Sequence, residues 1–79
     1  MSPEKMRYQA NQIATFFASQ PEDEQIEGVA DHINKFWDPR MRAQLFEMTD
    51  HDTEGFKPMV VAALSKVNRP ATANSTESA

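Results

Sequence analysis

The apolar residues fall into four groups, most of them at helical spacing. Met6, Ala10, Ile13 and Phe17 recur at steps of four, three and four. On a helix turning about 100° per residue they share an arc of roughly 60°. "SPEK" supplies the start, with Ser2 as cap, Pro3 as first helical residue and Glu4 in the first turn. This predicts a first helix from about Pro3 to Ala18, with Phe16 widening the apolar stripe and Tyr8 on the opposite face. "SQPEDEQ" then combines a cap, a proline and three acids matched to the positive end of a helix dipole. In the second helix Ile26, Val29, Ala30, Ile33, Phe36 and Trp37 occupy an arc of about 120°. Glu27, Asp31, Asn34 and Lys35 face away. Trp37 lies centrally on the stripe and reads as core. Phe36 lies at its edge and suits either core or surface.

Gly28 sits on the polar side of the second helix, where it costs up to about 1 kcal/mol relative to Ala. Either another backbone approaches closely there, or the helix tolerates the weakness. Pro39 forces a break before a third helix, with Asp38 as its N-cap. Met41, Leu45 and Met48 share a face of that helix, and Phe46 lies about 100° off it. "TDHDTEGFKP" is a loop by composition. A shorter fourth helix follows from about Pro58, with Val60, Leu64 and Val67 on one side and Val61 flanking.

After Val67 the chain reads "NRPATANSTESA", with no large apolar residue to bury. Residues 1–67 are therefore expected to form a helical domain and 68–79 a disordered tail. No segment alternates as a strand does. The predicted fold is all-α: a small bundle of three to four helices. Its first two helices run antiparallel around Ile13, Phe17, Ile33 and Trp37.

At 79 residues the chain makes one small domain, marginal alone. It has no cysteine, so no disulfide or thiolate-bound metal can staple it. A partner or an oligomer is the usual substitute. The net charge of −4 counts against a nucleic-acid binder. A small helical nucleic-acid-binding regulator, with the third helix as reader, stays as the alternative. No apolar run could span a membrane, and "MSPEKMRYQANQ" lacks the apolar core of a signal peptide. The expected location is cytoplasmic. Asn74 in "NST" fits a glycosylation acceptor that a cytoplasmic protein does not use.

Chemistry finds few footholds. Asp50, Asp52, Glu54 and Gly55 match four positions of a calcium-binding loop, but Val61 stands where the bidentate glutamate belongs. His32 and His51 have no helical two-histidine spacing. No nucleophile elbow and no phosphate-cradling glycine loop is present. No catalytic, cofactor-binding or metal site is expected on this chain. Two features point instead to a partner. Phe36, Phe46 and Tyr8 lie at the edge of their helices' stripes or off them, and exposed aromatics are what interfaces prefer. Arg40 and Arg42 follow the Asp38 cap, where cations oppose the dipole by up to about 1 kcal/mol. Either they extend into water or pair with nearby acids, or they meet an external anion.

The stretches "ANQIATFF", "GVADHINKFWDPRMR" and "PMVVAAL" resemble the delta subunit of the cytoplasmic, NAD-dependent molybdenum formate dehydrogenases. The resemblance covers about residues 6 to 64, and the family's "FWDPRMR" falls on Phe36 to Arg42 without a gap. It implies a non-catalytic accessory subunit. Molybdenum bis-guanine dinucleotide, iron-sulfur clusters, FMN and NAD would then belong to other subunits. The partner would be the catalytic alpha subunit and, through it, the beta and gamma subunits. The implied role is holoenzyme assembly or cofactor acquisition. The expected interface residues are Tyr8, Phe36, Asp38, Arg40, Arg42 and Phe46. The two arginines would meet carboxylates of the molybdenum subunit, or phosphates of a cofactor in transit.

Overall fold

A computed structural model describes residues 2–70. It contains α1 (Pro3–Phe17), α2 (Glu22–Phe36), α3 (Pro39–His51) and α4 (Pro58–Ala63), the last running into a 3-10 turn, Leu64–Lys66. No strand occurs among the described residues. The helix starts are set locally. The Ser2 hydroxyl accepts from the Lys5 N–H at 3.2 Å, and the Asp38 carboxylate accepts from the Met41 N–H at 2.8 Å. The start of α2 differs from expectation. Pro21 occupies the N-cap position and makes no side-chain bond. Gln25 works from the first turn instead: its Nε2 donates to the carbonyls of Ala18 at 3.0 Å and Gln20 at 2.9 Å. That satisfies acceptors left over where α1 ends.

α2 is the hub, packing against α1, α4 and the 3-10 turn. α1 and α2 run antiparallel, since Phe17 lies over Gly28 while Ile13 shares a dimple with His32. Val29, Ala30, Ile33 and Trp37 are buried as the periodicity predicts. On α1 the buried line is Met6, Ala10 and Ala14, while Ile13 and Phe17 are only partly buried. α1 packs against both α2 and α4, with its small residues turned inward and the larger Ile13 and Phe17 on the flank. Gly28 is explained by a side chain, not a backbone. A Cβ there would stand 2.5 Å from Phe17 Cε1.

α3 buries Leu45, Phe46 and Thr49, and only partly buries Met41 and Met48. The buried arc is therefore turned about 80° from prediction toward Phe46, with Leu45 common to both. Phe46, expected at an exposed interface, is buried at 5% exposure. The cause is the chain's return. The segment expected to leave the fold at Asn68 is held as far as Pro70. The Arg69 guanidinium lies 4.1 Å over the Phe46 ring and forks onto Asp50 at 2.8 and 3.1 Å. Asn34 donates to the Lys66 carbonyl at 3.1 Å and accepts from the Asn68 N–H at 2.8 Å. Polar groups hold this strap, which a search for apolar residues overlooks. Residues 71–79, with Asn74, lie outside the described residues.

A second asparagine repeats the device. Asn11 donates to the Gly55 carbonyl and accepts from the Lys57 N–H, both at 2.9 Å, pinning the loop before α4 to α1. Gly55 turns the loop with φ of 91°, a left-handed angle that glycine adopts freely. Asp50 and Asp52, two of the calcium-type positions, are engaged internally: Asp50 by Arg69, and Asp52 by the Glu54 N–H at 3.0 Å.

Candidate functional site

The six expected interface residues separate into distinct places. Asp38 and Arg40 stay together at the start of α3. Asp38 caps the helix, and Arg40 is exposed with no hydrogen bond or ion pair to a described residue. Arg40 borders a groove of about 860 Å³ shared with Arg7, Glu47, His51, Asp52 and Glu54. The acids in this groove outnumber the arginines, so it is not an anion cradle. Arg42 leaves the expected pair and turns inward. Its Nε donates to the Trp37 carbonyl at 3.3 Å, and its Nη1 donates to the Asn68 carbonyl. Its charge is placed to satisfy carbonyls of this chain, which offsets its unfavourable place on the helix dipole. Of the two arginines only Arg40 is exposed, which thins the basic set a nucleic-acid reader would need.

Phe46 and Arg69 lie on the strap side. The hydrogen bonds from Arg69, more than simple charge attraction, hold the Asp50 carboxyl below its ordinary value against a small opposing effect of desolvation. Arg69 is raised in turn, chiefly by the same bonds.

The aromatic residues that do meet solvent are Phe16 (73% exposed), Phe36 (71%) and Tyr8 (63%). Phe36 packs against His32 with ring centroids 4.7 Å apart and the rings tilted by 41°, and Phe16 meets Phe17 edge-on at 5.1 Å. Gln12, Ile13, Phe16, Phe17 and His32 line a shallow dimple of about 250 Å³. One face of the α1–α2 pair thus carries Phe16, the dimple, His32 and Phe36. Tyr8 does not line the dimple. Phe16 and His32 were absent from the expected interface. A signal for Phe16 existed, because it lies about 60° outside Ile13 on the helical projection. Asn11, Asn34 and Arg69 gave none, since their partners are distant in sequence.

The sequence profile of one family, described as the NADH-dependent formate dehydrogenase delta subunit FdsD, matches residues 5–64. The chain belongs to this delta-subunit family. The match takes in nearly all of α1, the whole of α2, α3 and α4, and stops before the strap. No curated protein and no solved structure matches the chain. A delta subunit implies partner subunits within a multi-subunit formate dehydrogenase. No helix among the described residues is long and apolar enough to cross a membrane.

Proposed function

We propose that this chain is a non-catalytic accessory subunit of an NAD-dependent molybdenum formate dehydrogenase. It docks on the molybdenum-containing alpha subunit and supports assembly of the holoenzyme. Molybdenum bis-guanine dinucleotide, the iron-sulfur clusters, FMN and NAD reside in the other subunits, and beta and gamma are reached through alpha. The observation that carries the reading is that, among the described residues, the three most exposed large apolar side chains are all aromatic, on a chain whose family is named for one subunit of an enzyme. A small helical domain gains from covering such rings, and interfaces draw their anchoring energy from them. Arg40, unpaired within the described chain, is available to a carboxylate of the partner.

Two measurements test the reading. Leaving this chain out of a co-expression of the enzyme's subunits is expected to lower the yield of active dehydrogenase. Purified alone, the chain is expected to leave formate and NAD unchanged, and turnover by the chain alone would overturn the proposal. Complex recovery and molybdenum content are read together. Fewer assembled complexes point to docking, and normal assembly with less molybdenum points to acquisition of the cofactor.

A further inference from the structure

Arg7 is held where its own chain gives it nothing to donate to. It rises from the first half of α1 and passes tightly over Gly55, where a Cβ would stand 2.7 Å from Arg7 Cδ and 2.9 Å from its Nε. Its guanidinium carbon lies 5.7 Å from the centre of the Phe56 ring. Nε is buried there with no hydrogen-bond partner. No described residue accepts a hydrogen bond from the rest of the guanidinium. A buried donor left unmade lowers stability and calls for an explanation.

The side chain borders the groove between α1 and α3, which Arg40, Glu47, Asp52 and Glu54 share. Two arginines against three acids leave this groove a net charge of −1 with His51 neutral. Such a groove repels a free anion, yet a guanidinium only donates and needs acceptors. Main-chain carbonyls accept without carrying a full charge. They stand together unpaired at the C-terminal end of a helix. That end also favours lysine and arginine in its last turn. Such cations match Glu47 and Glu54, whose side chains are exposed and have no partner among the described residues. The chain uses the same device internally, since Arg42 Nε donates to the carbonyl of Trp37, the C-cap of α2.

We infer that Arg7 caps the C-terminal end of a helix on another polypeptide of the enzyme, with Glu47 and Glu54 meeting basic side chains of that helix's last turn. The inference rests on the accessory-subunit reading and adds a contact separate from the exposed rings. Arg7 and Phe16 lie about 180° apart around α1. A guanidinium already fixed by Gly55 and Phe56 loses little freedom when it binds.

The test is co-expression of the full chain with the other subunits, reading the ratio of this chain to the alpha subunit in the purified complex. Arg7→Met keeps an unbranched stem beside Gly55 and removes the unpaired donor. It is expected to lower the ratio about ten-fold, while the isolated chain melts at the same temperature or higher. An unchanged ratio overturns the inference, and a lower melt beside it assigns Arg7 to the fold alone. Glu47→Gln with Glu54→Gln separates two kinds of acceptor. A basic helix end loses partners for its cations, so the ratio is expected to fall. A ratio that rises marks the occupant as an anion and overturns the inference. So does sedimentation of the isolated chain as a dimer that Arg7→Met dissolves, because the occupant is then a second copy. If the unaltered chain fails to co-purify at all, the accessory-subunit reading itself falls, and this inference with it.

Discussion

Phe36 and Phe46 lie ten residues apart, neither at the centre of its helix's predicted stripe, yet one is 71% exposed and the other 5%. Helical phase does not separate them. What separates them is whether a later segment of the chain comes back. Residues 66–70 return over α3, lay Arg69 on the Phe46 ring and tie themselves down through Asn34, Arg42 and Asp50. No described segment returns over Phe36 or Phe16. The strap side is finished within the chain, while the α1–α2 face leaves Phe16 and Phe36 exposed.

The largest effect that tests this contrast lies at two adjacent residues. Trp37→Ala should cost about 3–5 kcal/mol, because the ring is buried in the core, while Phe36→Ala should stay within about 0.5 kcal/mol. Urea melts of the two variants check it, and equal losses would erase the distinction between a finished and an unfinished side. Next in size is the strap. Truncation after Val67 should cost about 1–2 kcal/mol, since it unpairs groups of Asn34 and Arg42 and uncovers Phe46. Truncation after Pro70 keeps those contacts and should cost almost nothing in the same melts.

Smaller again is the split between two arginines that look alike in sequence. Arg42→Ala should lose about 1 kcal/mol with its two carbonyl contacts. Arg40→Ala should be neutral or stabilise by a few tenths of a kcal/mol, because it removes a cation from the positive end of α3. Thermal melts that ranked them the other way would put the strap contact in error.

The smallest effect concerns pH. Asp50 is held below its ordinary value of 3.8 by the hydrogen bonds from Arg69. A carboxyl lowered on folding stabilises fully above its unfolded value, and that stability is lost as pH falls through the lower folded value. Both side chains are more than half exposed, so the contribution is small. Asp50→Asn should therefore narrow the stability gap between neutral pH and pH values below 3.8 without altering the shape of the melt at either end.

Much of the fold is legible because its determinants are local. Ser2, Asp38 and Pro58 start helices by chemistry confined to one turn, and Val29, Ile33 and Trp37 declare the α2 core by spacing alone. Exposure of the aromatic residues is legible only where periodicity governs it, as at Phe36 and Tyr8. Phe46 and Arg42 were misplaced for a single reason: both depend on a strap 20 or more residues downstream whose anchors are polar. Asn34 reads as a solvent-facing residue of a polar arc, and nothing within reach of it in sequence announces that it binds Lys66 and Asn68. Gly28 likewise reads as a weak point of α2 until the Phe17 ring is seen to occupy the space a side chain would need.

Trp37 is the only tryptophan of the chain, and it is buried at the junction of α2 and α3, with its own carbonyl bound to the arginine that grips the strap. The protein therefore carries a single internal lamp, and its colour reports on one half of the molecule. Opening the α2–α3 junction would let water reach the indole and redden its emission. A partner settling on the α1–α2 face would cover phenylalanines, which selective excitation of tryptophan leaves dark, so docking there would proceed with little change of signal.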